Sequence, residues 1–435
     1  MIKRTFRSKN INKGLQSPLT STSSSSPSSS PVVREKQAST KSFSVIPSLG
    51  RSVSSRTRAP NATLNTSSSD SSITNGSVKG HLIISDIPNS NDGDGMAHVV
   101  LADSIRFNLL GATGIPSRIP KQGRILHDIK PTSQMGLGVF SNCHLKRGDL
   151  IFCERPLLVV PSVLPGILIK RPDNVKFTPQ QEARAYMMEF ELLLSTVFKR
   201  MGEGDQAAYR SLGNCHQYGE DGVGPLYGIF RTNAFNLDEF QDTAVPQSLQ
   251  QHSVVCRIGS RINHSCMPNV GVEFDARSFS VRFKAIRNIE AGEQLFCSYV
   301  NVAKDFARRQ TVLYPYGITC HCRACLEAKP ESDRVRTSFI GKIQAYTEFM
   351  SLQPSTAKDT KRLHVSLSEM LKLENAMVKE GIDGHSLFEG LLVAICCTFA
   401  KLGNKPRARE YYRNNIDTFE RRSDAKTWKA WYELM

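Results

Sequence analysis

Arg261-Ile262-Asn263-His264-Ser265-Cys266-Met267-Pro268-Asn269 sets a carboxamide, an imidazole, a hydroxyl and a thiol side by side. Gly292-Glu293-Gln294-Leu295-Phe296-Cys297-Ser298-Tyr299 follows, then Cys320-His321-Cys322-Arg323-Ala324-Cys325, all within about 65 residues. The cysteine run is the easiest to read. Cys320-x-Cys322-x2-Cys325 has metal-ligand spacing, and zinc is the ion that takes four thiolates tetrahedrally. Three ligands from one loop leave a position open. Cys266 is the best candidate for the fourth, and His321, wedged between two ligands, is the weaker one. An all-cysteine site is structural, so it would clamp the loop 316–325 against the segment around 266. The plain alternative is a chance cluster of free thiols.

Asn263-His264 decides little alone, because a histidine beside an apolar stretch is more often a satisfied structural side chain than a ligand. Ser265 lacks the glycine pattern of a nucleophile elbow, so a serine-hydrolase triad is not indicated. Gly136-Leu137-Gly138 lacks the third glycine and the following helix of a dinucleotide fingerprint. Its glycines would still let backbone approach a ligand closely.

The elements that must position these residues are short strands and a helical insert. Gly136 to Phe140, Leu150 to Phe152 and Pro156 to Val160 read as strands. Thr178-Pro179-Gln180-Gln181 is a capping-box start with proline at the first helical position, and Tyr186, Met187, Phe190, Leu193, Leu194 and Val197 follow at helical spacing. After His264, Val270, Val272 and Phe274 alternate, then Val281, Phe283 and Ala285 do so beyond a turn at Asp275-Ala276-Arg277. From about 331 the pattern is helical. One helix carries Leu363, Leu367, Met370 and Leu371, and a second runs from Leu387 to Leu402 and stops at Gly403, a C-terminal glycine cap. Asn404 and Pro406 start a third. Helix, glycine, turn, helix resembles a tetratricopeptide hairpin without a clear 34-residue self-repeat.

At 435 residues the chain exceeds one hydrophobic core, so two domains plus tails are expected. The longest apolar stretch, Leu391 to Ala400, is far short of the roughly 20 residues that span a bilayer, and no membrane partner is expected. Lys3, Arg4 and Arg7 lead into polar residues, not a secretory apolar block, so a soluble intracellular protein is expected. Eleven cysteines, an odd number, do not suggest a disulfide framework. The net charge of +16 points toward nucleic acid, but residues 1–60 hold eleven Lys and Arg against Glu35 alone, leaving +6 for the remaining 375 residues. Any nucleic-acid binding would be weak and confined to that tail. Serine fills 17 of the first 60 positions, which predicts disorder. A basic, acid-poor start also keeps a mitochondrial transit peptide open beside the nucleus and cytoplasm.

Taken together, Gly136-x-Gly138, Asn263-His264-Ser265-Cys266-x-Pro268-Asn269, Glu293-x-Leu295 leading to Tyr299, and the C-x-C-x2-C cluster resemble a SET-domain protein lysine methyltransferase. The subgroup resembled is the SMYD-like proteins and their fungal relatives. The resemblance is strong over about 128–328 and loose over 331–435. It departs from SMYD proteins in having no MYND zinc finger, since only isolated cysteines lie between 140 and 260, so no partner binding through such a finger is carried over. It implies an α+β fold: a β-rich SET domain with a helical SET-I insert, a zinc-bound post-SET loop, an α-helical C-terminal bundle and a disordered N-terminal tail. The expected bounds are 1–117 for tail and linker, 118–310 for the SET domain with the insert inside 161–250, 311–330 for the post-SET loop and 331–435 for the helical domain.

The resemblance also implies roles. Gly136, Leu137 and Gly138 would meet S-adenosylmethionine through backbone, and Asn233 matches a polar residue placed on that cofactor. Asn263 and His264 would hold the cofactor in a knot-like site. Tyr299 would be the active-site tyrosine, touching cofactor as well, and Tyr316 the second aromatic wall of a lysine channel. Ile318 stands where the group usually stacks an aromatic on adenine, forfeiting about 0.5–1.5 kcal/mol. Cys266, Cys320, Cys322 and Cys325 would hold structural Zn(II). The implied activity is S-adenosylmethionine-dependent protein-lysine N-methylation, with histone, chromatin or another lysine-bearing protein as partner. The alternative is a weak or inactive SET-fold scaffold that recruits partners. Direct displacement by an amine needs alignment, exclusion of water and a neutral lysine, all of which an apolar aromatic channel favours.

Overall fold

The computed structural model describes residues 71–73, 82–88, 93–111, 116–164, 176–216, 224–237, 240, 245–246, 249–349, 356–416, 419, 429 and 432–433. The basic, serine-rich segment 1–60 lies outside the described residues.

Folded sequence is expected from about 118, and here the structure differs. Strands β1 (Ser71–Ile73), β2 (Leu82–Ile87) and β3 (Ala97–Ala102) precede that point and pair antiparallel in order, followed by helix α1 (Asp103–Leu110). Leu82, Ile84, Ile87 and every residue of β3 are buried. The reason is a long-range partner. Strands β4 (His127–Pro131), β5 (Leu137–Ser141), β6 (Leu150–Glu154) and β7 (Leu158–Pro161) follow, and β7 lies parallel to β3 with His98 opposite Leu158. Composition averaged over Ser, Asn and Gly neighbours hides two short apolar strands that are stable only inside a sheet.

The insert folds as read. Thr178 caps α2 (Pro179–Phe198) in a reciprocal capping box with Gln181, and Phe190, Leu193, Leu194 and Val197 are buried. Helices α3 (Glu203–Arg210) and α4 (Pro225–Asn233) complete it, and β8 (Phe235–Leu237) and β9 (His252–Val255) return the chain to the sheet, whose order is β1-β2-β3-β7-β9-β8. Each buried Leu, Val or Phe side chain contributes about 1.5–3 kcal/mol relative to exposure. Buried His98 ties β3 to the insert: its Nδ1 meets Asp86 at 2.7 Å and its Nε2 meets Asp205 of α3 at 3.3 Å.

Three smaller sheets frame the motif residues. β4 pairs with β5. β10 (Asn263–His264) runs parallel to β13 (Phe296–Cys297), and the hairpin of β11 (Val270–Asp275) and β12 (Ser280–Ala285) adds to β6. Helices α5 (Phe306–Leu313) and α6 (Arg323–Leu326) carry the cysteine loop. Beyond them α7 (Pro330–Phe349), α8 (Ala357–Lys379) and α10 (Lys405–Asn414) pack round α9 (Ser386–Lys401). Phe339, Ile343, Met370, Met377, Leu391 and Ile395 form their core. Gly403 takes φ +75°, and the Asn404 side chain caps α10, as their types predict. Arg336 of α7, wholly buried, joins this unit to the rest. It donates to the Cys266 and Val302 carbonyls, both at 3.2 Å, and pairs with Glu380 at 3.0 Å.

Candidate active site and metal centre

The glycine turn docks directly on the Asn-His strand. Gly136 sits at φ +68°, and its carbonyl accepts from both the backbone N–H and the hydroxyl of Thr132. The next carbonyl, of Leu137, accepts from Asn263 Nδ2 at 3.1 Å. Gly138 must be glycine for packing: a Cβ there would come within 2.5 Å of Gln294 Nε2 and 3.1 Å of Asn263 Nδ2. Sequence residues 126 apart thus meet through one hydrogen bond.

Asn263 and His264 are buried, and their strand is only two residues long, so side chains must hold it. Asn269 does part of this. Its amide donates to Glu293 and to the Gln294 carbonyl, and its oxygen accepts from Phe296 N at 2.6 Å. Ser265 closes a local turn by accepting from Met267 N, a structural task. Both ring nitrogens of His264 have protein partners, so a cofactor contact would fall to its backbone. Nδ1 accepts from the Tyr299 backbone N–H at 3.0 Å, and Nε2 lies 3.4 Å from Cys266 Sγ. Burial pushes the imidazole down to about 3, so the ring is neutral.

The Tyr299 hydroxyl donates to the Ile262 carbonyl at 2.6 Å. Burial, with Cys297 and Cys215 nearby, raises its pKa well above 10, so it remains a phenol. Tyr316 and Ile318 pack with Tyr299 against one small cluster that includes Cys266, Val300, Leu313, Cys320 and Cys325. Ile318 is buried there; Tyr316 is half-buried and meets His216 edge-on at 5.9 Å. Asn233 ends α4 with Nδ2 donating to the Gly213 and Ile229 carbonyls, while its carbonyl accepts from Ser260.

Two buried polar atoms bordering the 259–264 segment have no partner among the described residues: Asn233 Oδ1 and Gln294 Nε2. An orphan acceptor and an orphan donor suit a ligand that carries both an amine and a carboxylate, as S-adenosylmethionine does.

The sulfurs of Cys266, Cys320, Cys322 and Cys325 lie within 4.8 Å of one another. His321 is exposed and outside the group. Zinc–sulfur bonds of about 2.3 Å in a tetrahedron put sulfurs about 3.8 Å apart. Cys266 Sγ stands 3.6 Å from Cys325 Sγ and 4.0 Å from Cys320 Sγ, so the set fits that ion. Hydrogen bonding among the four sulfurs lowers the pKa of Cys322 and Cys325 and raises that of Cys266 and Cys320, as for a cluster that shares protons when no ion is bound. Gln310 Nε2 donates to Cys325 Sγ at 3.5 Å, and the buried Arg309 guanidinium lies beside the same sulfur. A cation here offsets the negative charge that four thiolates leave around a divalent ion.

Residues 136–300 match the family model described as SET domain. This stretch is a SET domain. Among its relatives, the histone-lysine N-methyltransferase set5 of Schizosaccharomyces pombe is 29% identical over 201 residues, covering 46% of this chain and 50% of that protein. The N-lysine methyltransferase SMYD2-A of Xenopus laevis is 27% identical over 165 residues, 37% of this chain and 36% of that protein. The chain therefore spans half or less of the length of these curated relatives. The solved SET domain of LSMT bound to lysine and AdoHcy shares 12% identity over 71% of this chain and 92% of its own, at a TM-score of 0.26 too low to bear on the fold.

Sequence reasoning missed four residues around the SET domain: Gln294, Arg309, Gln310 and Arg336. Gln294 sits inside the quoted run, one residue after Glu293, but no pattern marks a glutamine as an orphan donor. The arginines read as ordinary helix-surface charges, and only their burial against sulfurs and carbonyls sets them apart.

Proposed function

We propose that the SET domain catalyses S-adenosylmethionine-dependent N-methylation of a lysine side chain on a protein substrate. The observation that carries this reading is the convergence of the Leu137 turn, Asn263 and Tyr299 on one two-residue parallel pair. The names of the relatives agree with it, and those that are histone-lysine methyltransferases make histone the first substrate to test. A histone substrate would fit a nuclear or cytoplasmic site of action.

The cofactor supplies a methyl group made electrophilic by a sulfonium. The chain's task is alignment and desolvation. The Leu137 turn and the carboxamides of Asn263, Asn233 and Gln294 would hold the amino-acid and nucleoside parts. Cys266, Cys320, Cys322 and Cys325 would hold zinc, which fastens the loop carrying Tyr316 and Ile318 over them. A lysine ammonium, with an ordinary pKa of about 10.4, must arrive neutral. Tyr299 and Tyr316 supply low-dielectric walls that disfavour its charged form. Arg231, near enough to Tyr316 to oppose the burial that raises that phenol, adds a repelling cation. Tyr299 does not act as a base. Its proton is committed to the Ile262 carbonyl, so its oxygen lone pairs face the remaining directions and accept an N–H from the amine.

Transfer of labelled methyl into histones and into a proteome extract, wild type against Tyr299→Phe, tests the reading. Label in wild type and loss in the variant supports it. No label above the variant, with cofactor still bound, replaces it with a scaffold.

A further inference from the structure

The geometry points to His264 as a strut that joins the metal centre to Tyr299, so that metal occupancy sets the position of the active-site tyrosine. The relevance to catalysis rests on the methyltransferase reading; the strut itself does not.

A backbone N–H can only donate. The Tyr299 N–H reaches Nδ1 at 3.0 Å, so Nδ1 carries a lone pair and the ring's one proton is on Nε2. Nε2–H then points its hydrogen bond at Cys266 Sγ, 3.4 Å away, with the sulfur as acceptor. Accepting N–H bonds is what a metal-bound thiolate does, and Gln310 donates to Cys325 Sγ in the same sense. The imidazole is planar, buried and engaged at both ends, so it holds a nearly fixed separation between the Cys266 sulfur and the Tyr299 main chain. β10 and β13 pair over only two residues. The Ser265 N–H bond to the Cys297 carbonyl and the Tyr299 hydroxyl bond to Ile262 tie the same segments together, but neither reaches the Cys266 sulfur, as the imidazole does. When the metal leaves and the Cys266 sulfur moves, one end of the strut breaks or Tyr299 moves with it. His264 is a positioning residue that acts through the Tyr299 main chain.

Two substitutions separate the ends. The Asn oxygen falls near the place of Nδ1, and the Gln amide nitrogen near that of Nε2. His264→Asn keeps an acceptor for Tyr299 and drops the donor to Cys266. His264→Gln keeps the donor and drops the acceptor. In the full-length zinc-loaded protein, chelator competition is expected to show zinc affinity about 10–100-fold weaker in His264→Asn and close to wild type in His264→Gln. The thiolate-to-cobalt charge-transfer band of the Co(II)-substituted protein should shift only in His264→Asn. With zinc saturating, His264→Gln should lose about 10–100-fold in kcat with the cofactor KM little changed. Equal zinc affinities and identical cobalt spectra in all three proteins would overturn the strut. So would equal weakening in both variants, which marks a packing role alone. If wild type transfers no methyl at all, the methyltransferase reading fails while the zinc and cobalt results still decide the strut.

Discussion

The phenol of Tyr299 donates to the carbonyl oxygen of Ile262 at 2.6 Å, one residue before Asn263. The hydroxyl is therefore held by the same segment that docks on the glycine turn. Tyr299→Phe removes it and leaves that carbonyl short of a donor, at a cost of about 1–3 kcal/mol in stability. Misaligned amine and methyl should lower kcat about 100-fold or more. Steady-state kinetics beside a denaturant melt reads both, and unchanged turnover would remove Tyr299 from the chemistry.

Gly138→Ala puts a methyl group 2.5 Å from Gln294 Nε2 and 2.9 Å from Thr132 Cγ2. Overpacking of this kind costs about 1–3 kcal/mol. The melting temperature should fall, and calorimetry should show weaker S-adenosylhomocysteine binding, because Gln294 is pushed from its place beside Asn263.

Arg336→Met strips Glu380 of its buried partner and the Cys266 carbonyl of its donor. Breaking a buried pair costs about 3–5 kcal/mol, so the urea midpoint should drop steeply. Arg336→Lys should rescue little, since one ammonium cannot reach both carbonyls and Glu380 in the guanidinium's fixed fork. Zinc affinity should fall alongside.

His98 gives stability a pH dependence. Burial opposes its charge, but the hydrogen bonds and charges of Asp86 and Asp205 outweigh that and raise its pKa. Arg257 also faces this group through Asp205. The folded state thus holds a proton that the unfolded chain releases near pH 6.5. The contribution is full below about pH 6.5 and is lost as pH rises through the raised folded value. Urea unfolding across pH 6–9 should show this loss in wild type and a flatter profile in His98→Gln.

Much of the site was legible because its residues are short-range patterns with strong chemistry. Cys320-x-Cys322-x2-Cys325 advertises a metal, and Thr178 to Gln181 advertises a helix start. Cys266 was reachable from the three-ligand count, and the sulfur distances agree. What stayed hidden depends on partners far along the chain. β3 is five apolar residues and His98 in polar surroundings, and its pairing with β2 and, far along the chain, with β7 makes it core. Arg336 looks like any helical arginine until the Cys266 carbonyl, 70 residues earlier, is found beside it. The cofactor role of His264 came from the family resemblance, and which ring nitrogen faces which partner is a property of the folded site alone.

The Arg336 contact carries a further consequence for synthesis. A chain leaves the ribosome N-terminus first, so residues 136–300 emerge well before the guanidinium that satisfies the Cys266 carbonyl. Until α7 follows, the nascent polypeptide holds its motif segments without the side chain that seals them. Sealing of the Cys266 carbonyl thereby waits until α7 has emerged.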